Sequence, residues 1–493
     1  MANLKEKNIN ILNNEKVILS LILLTALSLF LYKVGQESLW IDELYSVFDA
    51  KGLPETFSVE RPLYYLVLRA WMFLGTTDWW MRSLSAIFSL ASVFLTYKIA
   101  RSIAGKSVGL TAAALLTISP LFINYAQMVR MYALSTSLGL AGTLALIHTL
   151  TSPKNIFIIG WVVARILMLL TTPTTVTLLV ADLFLIGWKF YNQKSYLYKF
   201  AVAFTAIGIA FIPSFITSFT ARGNLGELSS TSIPSINIIL GKLRKFAVFP
   251  FPTPSKEVSL LFKGFTLIVW GLLGSAFLHK NWVKLLWISI LAFFPVVASW
   301  LIDEGLFLTD RYILFVQPYF LILLGAGIVE IWKRNKLLYI ALSASYLLAA
   351  GYGLNRYYTI QDRQDWRGMI ETINSYEQAG DIVILSVEHN LSKAIKALKH
   401  YYKGDLPFYG LSKDDLSKPE CGRLDFSITN LEGDPTRIWF ICDSDPVFDE
   451  NIKYELSQAF VNWGFYQENS YFQLFLINYD EIAAKNGDRS SNL

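Results

Sequence analysis

The sequence predicts an α-helical polytopic membrane protein of about eleven spans, with external juxtamembrane helices and a small C-terminal α/β domain. Three observations predict it. Of the 493 residues, 54% are hydrophobic and 16% charged, with mean hydropathy +0.41; soluble domains run near a quarter charged. Apolar runs that approach the roughly 20 residues a helix needs to cross a bilayer recur from residue 17 to residue 354. Beyond about residue 359 the spans stop and Asp, Glu, Lys and Asn become frequent.

The spans fall near 17–34, 82–104, 107–124, 131–150, 155–171, 173–190, 199–219, 258–278, 283–302, 311–331 and 336–354. The first lacks a small-residue cleavage site and reads as a retained anchor. Basic residues mark every second loop: Lys5, Lys7 and Lys16, then Lys98, Arg101 and Lys106, then Lys154, then Lys189, Lys194 and Lys199, then Lys280 and Lys284, then Lys333, Arg334 and Lys336. This alternation predicts a cytoplasmic N-terminus. An odd number of spans then places the C-terminal region outside, with Asp42, Glu43, Arg130, Asp310 and Arg311 on that same face. The net charge of +5 sits largely in these loops, so it is a topology signal and not a nucleic-acid footprint. The external stretch Lys242-Leu243-Arg244-Lys245-Phe246, ahead of Pro250, Pro252 and Pro254, predicts a basic helix on the membrane surface.

The chain is accordingly expected to divide into a membrane domain, 1–358, and an extracytoplasmic α/β domain, 359–493. In the latter, 382–386 and 437–441 read as buried strands, 471–477 as a last strand, and 390–403 and 450–462 as helices. Cys421 and Cys442 lie there, and a disulfide or two separate thiols fit equally well. Trp439 and Trp463 are read as core aromatics in preference to sugar-stacking platforms.

The candidate chemistry starts with Asp42 and Glu43, just past the first span. A carboxylate there can take the proton of an attacking hydroxyl; an acid pair that caps a helix fits the same residues. Glu60-Arg61-Pro62-Leu63-Tyr64-Tyr65 follows, with proline favouring a helix start. Arg61 at that entry suits either bidentate phosphate contacts or snorkelling to headgroups. Arg165 lies within the fifth span, where a buried charge calls for a partner, and Asp182 in the next span is the expected one. His148, His279, His389 and His400 show no paired ligand spacing, and no Gly-rich nucleotide loop is present. Asp443-Ser444-Asp445 reads as a loop.

Taken in order, these segments resemble the C superfamily of polytopic glycosyltransferases. The likeness is to the dolichyl-phosphate-mannose protein mannosyltransferases (family 39-like) and the bacterial lipid A aminoarabinose transferases. Over residues 15–355 it is carried by Trp40-Ile41-Asp42-Glu43, Arg61-Pro62-Leu63-Tyr64-Tyr65, Arg82-Ser83-Leu84-Ser85, Ser119-Pro120 through Gln127, Arg130-Met131-Tyr132-Ala133-Leu134 and Asp310-Arg311-Tyr312. Asp365-Trp366-Arg367-Gly368 and the region after it resemble the tail of many bacterial members. The family often has Lys or His at position 61 and a second proline at 63. Many relatives carry a His after the fifth span, where this chain has Thr171-Thr172-Pro173-Thr174-Thr175.

The resemblance implies an inverting transfer of a sugar from a polyprenyl-phosphate donor to a lipid, polysaccharide or protein acceptor, on the outer face of the cytoplasmic membrane of a bacterium. Asp42 would be the catalytic base or acceptor-positioning residue, supported by Glu43. Arg61 would hold the lipid phosphate. Arg82, Arg130 and Arg311 would contact phosphate or sugar, and Tyr64, Tyr65, Tyr125, Tyr132 and Tyr312 would line the pocket. No cofactor is required; a divalent cation on Asp42 or Glu43 is the one addition the resemblance allows. The partners are donor, acceptor and membrane lipids, with no nucleic acid. A lipid-linked polysaccharide polymerase or ligase, a non-catalytic scaffold and a transporter are the alternatives, the last disfavoured because no inverted repeat is visible.

Overall fold

The computed structural model describes residues 15–53, 61–221, 236–248, 256–302, 309–359, 363, 365–386, 391–411, 437–443, 467–468 and 472–478. Glu60, His389, Cys421, the side chain of Cys442, Ser444, Asp445, the expected helix at 450–462 and Trp463 lie outside the described residues. The chain divides into two compact units, residues 1–34 with 46–360, and residues 35–45 with 361–493.

In the first unit each of the eleven expected spans is helical. In chain order the helices are α1 (Glu15–Leu31), α2 (Ile41–Lys51), α3 (Pro62–Met72), α4 (Asp78–Ala104), α5 (Lys106–Thr117), α6 (Pro120–Ala126), α7 (Tyr132–Thr151) and α8 (Asn155–Leu169). A 3₁₀ turn, Pro173–Thr175, leads into α9 (Val176–Phe190), α10 (Lys194–Ala221), α11 (Ile236–Ala247), α12 (Lys256–Ala276) and α13 (Trp282–Ile302). Two 3₁₀ turns precede α14 (Gln317–Arg334), and α15 (Lys336–Thr359) ends the series. Helix α2 begins in the second unit and ends in the first. Seven described helices are long and apolar enough to cross a membrane, eight if the α5–α6 pair, bent by 65°, is one span. The chain is a multi-pass membrane protein.

Local sequence sets these boundaries. The Thr77 hydroxyl accepts from Trp80 N at 3.3 Å and caps α4. Gly105, at φ 96°, supplies the left-handed turn that ends α4 and starts α5. Ser119 then caps α6, with Pro120 at its first position, and this break makes the bend. Helix α14 is central, with 94% of its apolar window buried against 17% for α15. Leu348 on α15 and Ile209 on α10 stay exposed, as lipid-facing residues should.

Polar ties between helices are few and specific. Gln127 Nε2 donates to the Leu29, Phe30 and Tyr32 carbonyls at 3.1, 3.1 and 2.8 Å, satisfying the end of α1. Arg165 and Asp182 pair as expected, Nε to Oδ2 at 2.6 Å, with both side chains fully buried. Trp161 Nε1 donates to the same carboxylate at 2.8 Å, Arg165 Nη1 to Gly139 O at 2.6 Å, and Arg165 Nη2 to Thr143 Oγ1 at 3.0 Å. The Thr143 hydroxyl in turn meets Tyr319 Oη at 2.6 Å, so one network joins α7, α8, α9 and α14. Outside the membrane segments, Trp71 and Trp80 stack at 4.8 Å with planes 6° apart, and each indole N–H donates to the other residue's carbonyl, at 2.9 and 3.0 Å.

The second unit holds α16 (Trp366–Tyr376), β1 (Ile382–Ser386), α17 (Leu391–Tyr401), β2 (Phe408–Leu411), β3 (Arg437–Asp443), β4 (Gln467–Glu468) and β5 (Phe472–Asn478). The sheet order is β2-β1-β3-β5-β4. The strands β2, β1 and β3 are parallel, with Ile384 opposite Tyr409 and Phe440; β5 runs antiparallel to β3 and to β4. Three of these strands coincide with the runs expected from sequence. Trp439 is fully buried and donates to Asp381 Oδ2 at 2.9 Å, a core position. Asp381 also pairs with Arg437 at 2.8 Å.

Candidate active site

Asp42 and Glu43 occupy the first turn of α2. Trp40 N donates to Glu43 Oε2 at 3.2 Å, the back-bond of a capping box made without a Ser or Thr. Glu43 is fully buried and lies 3.9 Å from Arg363, whose Nε is 3.3 Å from Glu37. Two further contacts hold the approach to the helix: Leu39 N donates to Tyr401 Oη at 2.8 Å, and Arg367 Nη2 to Gln36 O at 2.6 Å. Glu43 thus fixes where the helix begins, and that fixes where half-buried Asp42 sits. Burial, aided by the Asp42 carboxylate, pushes the Tyr45 phenol up to about 12, so Tyr45 stays neutral beside it.

In the membrane unit the same helix goes on to Ser46 and Asp49. Arg130, 8% exposed, donates through Nη1 to Ser46 Oγ at 3.2 Å and lies 5.8 Å from the Tyr132 ring. Arg61 stands at the N-cap position of α3, its side chain making no cap bond, with Pro62 at the first position, as the Arg-Pro pair implied. Tyr65 brings these together. Its phenol is pushed up by burial, drawn down by the Arg61 and Arg130 charges, and raised by Asp49, to which it is hydrogen-bonded. Tyr64 is buried beside it, rings 5.7 Å apart. Arg69 donates to the carbonyls of Ala50 and Lys51 at 3.3 and 3.2 Å and to that of Leu53, tying α3 to the end of α2.

A second group lies at the 3₁₀ turn Asp310–Tyr312. Asp310 takes Lys245 at 2.9 Å and Lys242 in a shorter bond. Burial draws the Lys242 ammonium down, and Asp310 opposes this. Helix α11 therefore packs its basic face onto the bundle and is not simply laid on lipid. Gln317 Nε2 donates to Phe246 O at 2.8 Å and Tyr346 Oη to Ala247 O at 2.6 Å, which fixes its end. Arg311 lies 5.4 Å from the Tyr312 ring. Tyr125 is within electrostatic reach of Asp310 and Arg311, and its ring meets Tyr132 at 5.3 Å. The chain Arg130–Tyr132–Tyr125–Arg311 so connects both groups.

Arg82 stands apart. It is 1% exposed and donates to Val34 O at 2.9 Å, a tie on the strand of chain leaving α1. Sequence reasoning passed over Ser46, Asp49 and Arg363. Asp49 follows Asp42 by seven residues, two helical turns, and this spacing was the available signal. Arg363 had none. Among the described residues no group of three or more His, Cys, Asp or Glu side chains is placed to hold a metal.

No protein-family model matches the chain, and no curated protein matches it by sequence. Solved structures do match by shape. ArnT from Cupriavidus metallidurans bound to undecaprenyl phosphate superposes with TM-score 0.55 at 11% identity, over 93% of this chain and 97% of that one. The fold is that of ArnT. Apo ArnT from the same organism gives TM-score 0.55 at 11% identity, over 94% and 98%. The apo oligosaccharyltransferase of Archaeoglobus fulgidus gives 0.49 at 10% identity, over 80% and 64%. The polytopic helical architecture expected from the sequence is thus the one found.

Proposed function

We propose that the protein is an inverting glycosyltransferase that moves a sugar from a polyprenyl-phosphate donor to a lipid, polysaccharide or protein acceptor. The reaction takes place on the outer face of the cytoplasmic membrane, with the N-terminus inside and the domain from residue 359 outside. The observation that carries this reading is the ArnT fold over nearly the whole chain, since the ArnT structure is bound to undecaprenyl phosphate. A second fact supports it. Arg61 and Arg130 lie within electrostatic reach of Tyr65, and Arg311 within that of Tyr125. Guanidinium groups suit an anionic headgroup.

The chemistry follows from the leaving group. The polyprenyl phosphate departs as an already anionic group, so no acid needs to protonate it. Cations that meet the growing charge lower the barrier. Arg61 holds the lipid phosphate, and Arg311 and Arg130 meet phosphate or sugar. Asp42 accepts the proton of the acceptor hydroxyl as its oxygen attacks the anomeric carbon. The bond from that carbon to the phosphate oxygen breaks, and its electron pair stays on the phosphate. Glu43 positions Asp42 through the helix start. Tyr64, Tyr65, Tyr125, Tyr132 and Tyr312 form the walls, and Arg82 supports the scaffold. A single displacement inverts the anomeric centre, unlike a glycosidase that needs two carboxylates astride the bond. No step is routed through a metal.

The test uses purified protein with a panel of polyprenyl-phosphate sugars, with and without membrane extract as acceptor. Wild type should release free polyprenyl phosphate and Asp42→Asn should not. Release by both proteins would remove Asp42 from the mechanism. Release by neither would remove the donor class, and retained stereochemistry in the product would remove the single displacement.

A further inference from the structure

The turn between α8 and α9 carries threonines at 171, 172, 174, 175 and 177. Three of them satisfy their hydroxyls locally. Thr171 Oγ1 donates to Leu167 O at 2.8 Å, Thr175 Oγ1 to Thr172 O at 2.6 Å, and Thr177 Oγ1 to Thr174 O at 3.2 Å. The other two do not. Thr172 Oγ1 and Thr174 Oγ1 are buried and have no hydrogen-bond partner. Thr172 as a whole is 4% exposed. A buried hydroxyl left so costs about 1–3 kcal/mol, and native proteins keep few of them.

Their position gives the reason. Leu170 O, two residues before Thr172, accepts from Leu63 N at 3.3 Å. Leu63 belongs to the first turn of α3, the helix that has Arg61 at its N-cap position and that carries Tyr64 and Tyr65. The threonine turn therefore abuts the Arg61 end of the proposed donor site. Pro173 between the two residues holds the turn rigid, in a 3₁₀ conformation that opens α9. Two neutral hydroxyls in fixed positions, each able to donate and accept, are matched to the hydroxyls of a sugar ring. A phosphate is better served by the guanidinium groups already there.

We propose that Thr172 and Thr174 bind ring hydroxyls of the transferred sugar and decide which sugar is accepted. This rests on the donor reading above. A site built to hydrogen-bond a substrate hydroxyl discriminates strongly, because a sugar lacking it leaves the protein group unpaired.

The test compares wild type with Thr172→Val and Thr174→Val, which keep the shape and remove only the hydroxyl. Thr172→Ser and Thr174→Ser retain the oxygen. The probes are undecaprenyl-phosphate glucose, its C2 epimer mannose and its C4 epimer galactose in the same linkage, and undecaprenyl phosphate alone. The readouts are the kcat/KM ratio between epimers, which does not depend on the fraction of folded protein, and the Kd of undecaprenyl phosphate. Each valine should lower kcat/KM for the preferred epimer about tenfold and flatten the ratio. The serines should restore it, with carrier affinity unchanged throughout. An unchanged epimer ratio in both valine variants would overturn the assignment, as would an equal loss of affinity for the carrier alone. Absence of turnover by wild type with every donor would instead overturn the donor reading itself, and this inference with it.

Discussion

Arg165 and Asp182 form a two-point ion pair, Nε to Oδ2 at 2.6 Å and Nη2 to Oδ1 at 3.0 Å, and neither side chain is accessible. Removing one partner leaves a bare charge in a low-dielectric interior. Asp182→Asn and Arg165→Met should each cost about 3–5 kcal/mol, and the double change to Met and Leu should cost less than either. Thermal unfolding in one detergent checks the order; additive losses would show that the pair is not coupled.

Gly142 and Gly327 mark where helices approach too closely for a side chain. A Cβ at Gly142 would meet Arg165 Nη1 at 2.7 Å, and at Gly327 it would run into the Leu272 carbonyl, which is backbone. At Gly325 the nearest atom is Ala112 N at 3.1 Å. Gly327→Ala should therefore exceed the roughly 1–3 kcal/mol usual for overpacking, while Gly325→Ala falls below it. Unfolding midpoints of the two alanine variants give the comparison.

His279 sits in the turn after α12, 3% exposed, and its Nδ1 accepts from Asn281 N at 3.0 Å. That bond requires the neutral ring. Burial, with Lys333 and Lys280 against Glu330, draws its pKa below the usual histidine value of 6.5. Between the folded value and 6.5 the unfolded chain holds more protons, so stability rises with pH in that window and is lost as pH falls through it. The midpoint should drop on acidification below 6.5, and His279→Asn should flatten the drop. An identical pH profile in the variant would exclude His279 as its source.

Within the proposed mechanism, Asp42 and Glu43 should fail differently. Asp42→Asn should lower kcat by about 10²–10⁴ with the unfolding midpoint kept. Glu43→Gln loses a charged cap and its Arg363 partner, so it should lower the midpoint first and activity second. Carrier release and thermal unfolding on the same preparations separate the two.

Most helices were legible because a bilayer demands long apolar runs, and those runs are local in sequence. The strands 382–386 and 437–441 were legible for the same reason, as buried β-branched segments. Helix α16 was not expected, because 366–376 mixes polar and apolar residues at a period visible only once Trp366, Met369, Ile370 and Ile373 are seen to share a buried side. The Arg165–Asp182 pair could be foreseen since a charge within a span needs a partner and the next span offers one. Lys242 and Lys245 could not be joined to Asp310, which lies 68 and 65 residues away. Glu43 as a cap was one of two readings of the acid pair, left open because Trp40 takes the place where a Ser or Thr would announce the motif.

The paired indoles of Trp71 and Trp80 have one more consequence, and it is optical. Two chromophores stacked 4.8 Å apart with planes 6° from parallel couple their transitions. They should also share and quench their emission. One residue ends α3 and the other opens α4, so the coupled signal exists only while those helices are docked. The protein thus carries a native reporter at the first turn of α4, readable by circular dichroism without a label. Trp71→Phe would silence it and expose how much of the spectrum it supplies.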